Sequence, residues 1–242
     1  MFVDRITADA PDGAGYPFDI PAVAAIAREG LGLTSPVTFF VGENGSGKST
    51  LIEAIAVACG FNPEGGSRNF SFSTANTHSP LAKHMRISRR SSPKDGFFLR
   101  AESFYNAITY MAQINDLSFS GPPLVESYGG VPLHERSHGE GFMALVQNRF
   151  GGEGLYVLDE PEAALSPQRQ LTLLCEMKRL ADDGSQFIVA THSPILIAYP
   201  GADVIELSER GVDRVPYDET DLYRTVRDFV SDPKRTLHYL FD

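Results

Sequence analysis

The sequence predicts an α/β protein built on a mainly parallel sheet flanked by helices. The first observation is that strand-like and helix-like segments alternate through the second half of the chain, which is typical of a parallel sheet covered on both faces. The second is a glycine-rich stretch, residues 42–50, lying between a strand-like and a helix-like segment. The chain has 242 residues, 42% of them hydrophobic, which suffices for one domain of this kind with a sizeable core.

The strands are predicted from short runs rich in β-branched and aromatic residues, and the helices from longer runs with apolar periodicity and terminal proline or glycine signals. Strands are predicted at 2–6, 37–41, 96–100, 155–158, 186–190 and 204–207. Helices are predicted from Pro21, at 51–59, 103–111, 141–150 and 167–181, and at about 218–230. We expect a single domain over residues 1–242, with a small N-terminal β region and a helical tail at 209–242.

Residues 61–96 and 116–136 are rich in glycine, proline, serine and asparagine, which favours loops. The first of these segments is predicted to be a loop-rich insertion. It carries six basic and two acidic residues in a chain of net charge −10. Two readings stay open, a solvated loop and a contact to phosphates of nucleic acid or nucleotide.

The composition restricts the classes of function. The net charge of −10 and the pI near 5.1 argue against a surface that is basic throughout. No stretch approaches the ~20 apolar residues of a membrane span, and residues 1–5 lack the pattern of a signal peptide. Cys59 and Cys175 are far apart in sequence and are expected to be small core residues rather than a disulfide. We therefore expect a cytoplasmic protein.

The glycine-rich stretch matches the phosphate-binding pattern G-x-x-x-x-G-K-[ST]. Glycines let successive backbone N–H groups turn inward around an anion, and the helix that follows adds its unpaired N–H groups and positive dipole end. In this pattern Lys48 binds the β- and γ-phosphates, and the Ser49 hydroxyl binds Mg²⁺. The residues predicted to bind nucleoside triphosphate are Gly42, Glu43, Asn44, Gly45, Ser46, Gly47, Lys48, Ser49 and Thr50.

A second motif is the apolar run 155–158 followed by Asp159 and Glu160. Ligands of open parallel sheets bind at the carboxyl ends of the strands, so both carboxylates are expected beside the phosphate loop. Asp159 is predicted to help hold Mg²⁺, and Glu160 to activate the attacking water as a general base. Tyr16 or Phe18 could stack on an adenine base, although packing in the core is the stronger expectation for both.

Taken together, five ordered motifs resemble those of an ABC-type ATPase head, in the manner of stand-alone soluble ATPases related to chromosome-maintenance, recombination and anti-phage proteins. The resemblance covers roughly residues 1–208. The motifs are the phosphate loop, Ser137-His138-Gly139-Glu140-Gly141, Asp159-Glu160-Pro161, Ala164-Leu165-Ser166-Pro167 and Thr191-His192-Ser193-Pro194.

The resemblance implies a role for each further motif. Ser137 and Gly139 look like the signature motif, which contacts the γ-phosphate held by an opposite subunit. Here His138-Gly139 replaces the double glycine of the family, and Glu140 stands where glutamine is usual. Residues 164–166 look like the D-loop that couples two nucleotide sites, and His192 looks like the switch histidine. The Mg²⁺-linked glutamine of the family has no clear match, with Glu102 and Gln113 as candidates.

The main functional hypothesis is therefore Mg²⁺-dependent ATP hydrolysis at composite sites of an ATP-dependent homodimer, with Lys48, Glu160, His192 and Ser137 as catalytic residues. A second hypothesis is a slow nucleotide-gated switch for a DNA or effector-protein partner. A third is the soluble ATPase subunit of a membrane transporter, which would need a separate membrane subunit. Ser137 lies 89 positions after Lys48, and the segment between them carries no heptads, which excludes a long coiled-coil arm.

Overall fold

The computed structural model describes residues 1–67, 79–100 and 138–241. Its helices are α1 (Pro21–Glu29), α2 (Lys48–Ala58), α3 (Leu81–His84), α4 (His138–Arg149), α5 (Pro167–Asp182), α6 (Asp221–Ser231) and α7 (Pro233–Phe241). Its strands are β1 (Val3–Ala8), β2 (Leu31–Gly32), β3 (Val37–Gly42), β4 (Gly66–Ser67), β5 (Met85–Arg89), β6 (Asp95–Arg100), β7 (Gly154–Asp159), β8 (Gln186–Ala190), β9 (Asp203–Ser208) and β10 (Gly211–Arg214).

Within the described ranges, the central sheet has the strand order β10-β9-β3-β8-β7-β6-β4. The five strands from β9 to β6 are parallel, whereas the edge strands β10 and β4 are antiparallel to their neighbours. A smaller sheet, β2-β1-β5, is antiparallel. The predicted α/β class with a mainly parallel sheet and an N-terminal β region is confirmed.

Alternation along the central strands builds a core on each face of the sheet, because successive side chains of a strand point to opposite faces. Phe40 of β3 and Val157 of β7 lie in the cluster shared with α1 and α2. Phe39 of β3 and Leu158 of β7 lie in the cluster shared with α4 and α5. The central strands are therefore buried on both sides.

One buried side chain joins the two sheets. The Oε1 atom of Gln186, at the start of β8, accepts hydrogen bonds from the N–H groups of Phe2 and Val3 at 2.7 and 2.9 Å. Its Nε2 donates to the Val3 carbonyl at 2.8 Å. Because every polar atom of this buried amide is paired, it fixes β1 against the amino end of the central sheet.

Three expectations from the sequence differ from the structure. Residues 81–89, expected in a loop-rich insertion, form α3 and β5, because β5 pairs with β1, a partner distant in sequence. Residues 211–214, expected within a helical tail, form strand β10, and a second terminal helix follows the predicted one at 233–241. Cys59 is buried as expected, but Cys175 is exposed on α5.

The predicted helix at 103–111 and the predicted loop at 116–136 lie outside the described residues, as do Glu102, Gln113 and Ser137. In the part of the chain that is described, no helix combines the length and the apolar character that crossing a membrane requires.

Candidate nucleotide site

The candidate site forms where three parallel strands end at the same edge of the central sheet. Phe40 of β3 pairs with Ala190 of β8, and Ala190 pairs with Asp159 of β7. The residues that follow these three positions are therefore brought together: the glycine-rich loop, Glu160, and the segment from Thr191. The topology accounts for the meeting of motifs that are more than 140 residues apart in sequence.

The loop between β3 and α2 needs glycine at two positions for reasons of space and backbone conformation. Gly42 has φ +144°, and a Cβ there would lie 2.3 Å from the Leu207 carbonyl oxygen of the neighbouring strand β9. Gly47 has φ +94°, and its Cβ would lie 2.7 Å from Cγ2 of Ile20. These glycines allow the loop to turn tightly into α2, so that the first N–H groups of the helix are available to an anion.

Lys48 is the first residue of α2 and is 4% exposed. Its Nζ donates hydrogen bonds to the carbonyl oxygens of Gly42 and Glu43, both at 2.9 Å. Burial lowers the pKa of Lys48, and the carboxylates of Glu160 and Asp159 oppose that shift. The side chain thus closes the loop on itself and places a positive charge where a bound phosphate would favour the charged form.

Ser49 and Asp159 face one another across the site. The Ser49 hydroxyl donates to Oδ1 of Asp159 at 3.2 Å, and Nε of Arg100 lies 4.0 Å from Oδ2 of the same carboxylate. One hydroxyl and one carboxylate suit Mg²⁺, which takes oxygen ligands. Substrate phosphates and water usually supply the rest of its coordination shell. The described residues contain no group of three or more His, Cys, Asp or Glu able to hold a metal by themselves.

Glu160 begins the turn after β7 in a left-handed conformation, with φ 52° and ψ 52°. Its N–H donates to the Ala190 carbonyl at 2.9 Å, and its side chain remains 41% exposed. Nε2 of His192 lies 3.7 Å from Oε1 of Glu160. Within the described residues this Nε2 atom is enclosed and makes no hydrogen bond. The carboxylate and the imidazole therefore lie side by side, and the Glu160 side chain is open to a ligand seated on the loop.

Glu162 is a site residue that the sequence reasoning missed. Its Oε1 accepts the backbone N–H of His192 at 2.5 Å, and its Oε2 is buried without a hydrogen-bond partner among the described residues. Burial raises the pKa of Glu162, although hydrogen bonds from the His192 backbone and the Thr191 side chain oppose the shift. The available signal was a third carboxylate in the same short turn, Glu160-Pro161-Glu162.

The segment after β8 is also fixed from α5. The Ser193 hydroxyl donates to Oε1 of Gln170 at 2.5 Å and accepts the N–H groups of Ile195 and Leu196 at 3.2 and 3.1 Å. Nε2 of Gln170 donates in turn to the carbonyl of Leu165, in the loop before α5. Buried hydrogen bonds thus connect that loop to the segment carrying His192.

The described part of the predicted signature motif lies against the same loop. A Cβ on Gly139 would come within 2.6 Å of the Ala164 carbonyl oxygen and of Nη1 of Arg169. Nη2 of Arg169 also pairs with Oε1 of Glu140 at 3.0 Å. The amino end of α4 therefore packs against residues 164–166, and this close packing explains the glycine at position 139. Ser137 lies outside the described residues.

The structure separates the two aromatic candidates for an adenine contact. Phe18 is buried and packs edge-on against the His84 ring, with ring centroids 5.2 Å apart. Tyr16 is 69% exposed, and its hydroxyl lies 3.4 Å from Oγ1 of Thr50, at the end of the phosphate loop. Phe18 is thus a core residue, as expected, whereas Tyr16 is free to stack on a ligand.

Two family models match parts of the chain. A family model described as "AAA domain" matches residues 27–109, and a second, described as "AAA domain, putative AbiEii toxin, Type IV TA system", matches residues 137–198. The fold and these matches indicate the class: the chain has the fold of phosphate-loop ATPases of the ABC and AAA-like type. A search of curated proteins gives no match.

The chain is similar to two solved structures. An ATP-binding cassette of an ABC transporter, MJ1267, is 16% identical with a TM-score of 0.50, and the match covers 99% of each chain. The SMC head domain from Thermotoga maritima is 17% identical with a TM-score of 0.44, covering 89% of this chain and 99% of that one. At this level of identity the similarity concerns the fold.

Proposed function

We propose that the protein binds ATP and hydrolyses it to ADP and phosphate at composite sites formed by two copies of the chain. The observation that carries the proposal is the convergence of Lys48, the Ser49–Asp159 pair and the Glu160–His192 pair at one edge of the sheet. Phosphoryl transfer depends mainly on positioning and charge stabilisation, and this edge holds groups for both.

In this mechanism the loop N–H groups and Lys48 hold the β- and γ-phosphates. Ser49 and Asp159 would hold Mg²⁺, which neutralises charge on the phosphate oxygens when bound. Oε1 of Glu160 accepts a proton from the water that attacks the γ-phosphate, and His192 donates a hydrogen bond to that phosphate. Tyr16 stacks on the adenine base.

The second copy is proposed to supply Ser137 and Gly139 to the γ-phosphate. Two observations support this. The site of a single chain is open, with the Glu160 side chain 41% exposed. The amino end of α4 packs against residues 164–166, and Glu140 and Ser166 beside this contact are exposed, so both segments can be presented to a neighbouring protomer together. A helix amino terminus favours a negatively charged group.

The proposed activity concerns ATP alone, because three of the six basic residues of segment 61–96 pair with carboxylates of the domain. Arg86 pairs with Asp9, and Arg90 pairs with Asp4. Lys94 pairs with Glu153. These cations are neutralised within the domain, so we do not favour the DNA-gated switch. We place the activity in the cytoplasm, where ATP and Mg²⁺ are supplied.

The experiment is the variant Glu160→Gln, measured for ATP binding and for phosphate release. Removing a general base costs about 10²- to 10⁴-fold in rate, so hydrolysis should fall by at least about 100-fold while ATP affinity is retained. The matched control is Glu153→Gln. Glu153 precedes β7 at the opposite edge of the sheet and is also a left-handed, half-exposed glutamate, with φ 54°. Hydrolysis at the wild-type rate by Glu160→Gln would contradict the base assignment.

The composite site is tested through association. With ATP and Mg²⁺, Glu160→Gln should form dimers that persist, because closure is no longer followed by hydrolysis. The measurement is the mass in solution by light scattering, with and without nucleotide. It is made in the background Val230→Glu, because the C-terminal helices expose an apolar surface of their own. A mass that does not respond to ATP would refute the composite site and leave the hydrolytic part to be judged by phosphate release.

A further inference from the structure

The two terminal helices are fixed to the domain only at their beginning. Thr220 is fully buried, and its hydroxyl accepts the Tyr223 N–H at 3.2 Å to cap α6. The N–H of Asp221 donates to Glu206, whose strand partner Val41 directly precedes the phosphate loop. Helix α6 therefore starts at the nucleotide edge of the sheet.

Beyond this first turn the apolar face of α6 continues without cover from the described part of the chain. Leu222 and Tyr223 pack against the core cluster shared with α4 and α5. Val226, Phe229 and Val230 follow at helical spacing on the same face and are exposed. No residue of α6 or α7 is buried, although the two helices contact one another.

Helix α7 exposes further apolar side chains at its carboxyl end. Tyr239, Leu240 and Phe241 are 73, 70 and 80% exposed, and Val230 of α6 is 67% exposed. We call the set Val226, Phe229, Val230, Tyr239, Leu240 and Phe241 the tail surface. Taking about 150–250 Å² for a fully exposed aromatic side chain and somewhat less for an aliphatic one, these six expose on the order of 700 Å². A stable protein interface buries about 800 Å² on each partner, so the tail surface is close to the size that a dimer needs.

The charges around the tail surface favour a second copy as its partner. Residues 221–242 contain four Asp and four Lys or Arg, whereas the whole chain has a net charge of −10. A neutral segment meets its own copy without the repulsion that the rest of the chain would produce. A helix that binds an anionic membrane carries a polar face rich in Lys and Arg without matching acids, which this segment lacks. A strongly charged protein partner would likewise find no complementary charge.

We infer that the tail surface is a homodimer contact that does not depend on nucleotide. Two α6–α7 pairs related by a two-fold axis bring the same apolar stripe together from both sides, as in a four-helix arrangement. This contact is separate from the ATP-dependent contact of the proposed function. If the proposed function holds, it also keeps two heads at high effective concentration, so that closing on ATP becomes an intramolecular step.

The experiment measures the mass of the full chain by sedimentation velocity without nucleotide. Wild type should be a dimer at about 10 µM, and Val230→Glu should weaken the dimer by at least about ten-fold, because a charge would be buried in the contact. The matched control is Ser231→Glu, which adds the same charge one residue on, at an exposed position off the apolar stripe of α6. Leu240→Glu tests α7 in the same way. Both tail variants should keep the fold of a single chain, because within one chain the substituted side chains are exposed.

Three results would overturn the inference. The first is a monomeric wild type at that concentration. The second is a wild-type dimer that Val230→Glu and Leu240→Glu leave intact, because another surface would then form it. The third is a monomer that cosediments with vesicles of phosphatidylserine and phosphatidylcholine, which would make the tail surface a membrane contact. The dimer at the tail surface is measured without nucleotide, whereas the ATP-closed dimer is measured in the Val230→Glu background, where the tail contact is weakened. Failure of this contact and failure of the proposed function therefore give different outcomes.

Discussion

Replacing Glu162 by alanine should slow ATP hydrolysis without weakening ATP binding. Glu162 lies beneath the segment that carries His192 and is hydrogen-bonded to its backbone N–H at 2.5 Å. Alanine removes this acceptor and leaves the N–H unpaired, so that the position of the imidazole relative to Glu160 is no longer fixed.

The magnitude follows from the lost hydrogen bond. A buried polar group left without a partner costs about 1–3 kcal/mol, and each 1.4 kcal/mol in the barrier is a factor of ten. If this free energy is lost in positioning the histidine for the transition state, kcat should fall by about 10- to 100-fold. The KM for ATP should change by less than about three-fold, because no hydrogen bond joins Glu162 to the phosphate loop in the described structure.

Glu162→Gln is the matched control, because its amide carbonyl can still accept the His192 N–H. The assay is steady-state phosphate release at a series of ATP concentrations, with urea unfolding as the check on folding. Glutamine should keep kcat within about three-fold of wild type. A wild-type kcat in the alanine variant, or an equal loss in alanine and glutamine variants, would refute the positioning role.

Glu162 also gives a prediction for how the free energy of unfolding depends on pH. Because burial raises the pKa of Glu162, the folded protein binds this proton more tightly than the unfolded chain does. The contribution to stability is therefore present at low pH and is lost as the pH rises through the raised pKa. Glutamine does not ionise, so Glu162→Gln does not lose stability in this way. The unfolding free energy of Glu162→Gln minus that of wild type should therefore increase as the pH is raised from about 4 towards neutrality. A difference that shrinks over this range would contradict the assignment.

Three further substitutions test separate parts of the structure. Tyr16→Ala should weaken ATP binding by about three- to ten-fold in a fluorescence titration, since an aromatic contact contributes about 0.5–1.5 kcal/mol, whereas Tyr16→Phe should not. Gly139→Ala should lower the unfolding free energy by about 1–3 kcal/mol, because its Cβ would meet a backbone carbonyl at 2.6 Å. Asp95→Asn should cost about 1–3 kcal/mol at pH 7, because Asp95 accepts hydrogen bonds from Arg149 and Tyr156, both at 2.8 Å. Those hydrogen bonds lower the pKa of Asp95, although burial acts in the opposite direction. The stability lost in Asp95→Asn should therefore become smaller as the pH falls below about 4.

Each of these has a contradicting result. An adenine role for Tyr16 fails if alanine binds ATP as tightly as wild type. The packing reason for glycine at 139 fails if the alanine variant is as stable as wild type in urea. The account of Asp95 fails if its loss is the same at pH 3 and pH 7.

Local sequence determined the phosphate loop and the strands around it. The run before Gly42 and the helix from Lys48 are specified by residues within about ten positions of each other, and the strand ending at Asp159 is equally local. Buried parallel strands are continuous apolar runs, so they stand out without knowledge of their partners. This is why the fold class and the approximate bounds of β3, β7 and β8 could be predicted.

Tertiary structure decided what depends on partners distant in sequence. Glu162 became a site residue only because the chain brings His192 to it, and Tyr16 and Phe18 were separated only by what packs around each. Strand β5 forms through its pairing with β1. The apolar residues of α6 and α7 are exposed because no other described segment packs over them. Propensity and periodicity act over one helix or strand. Burial and hydrogen bonding between distant segments are set by the whole fold, and no local pattern encodes them.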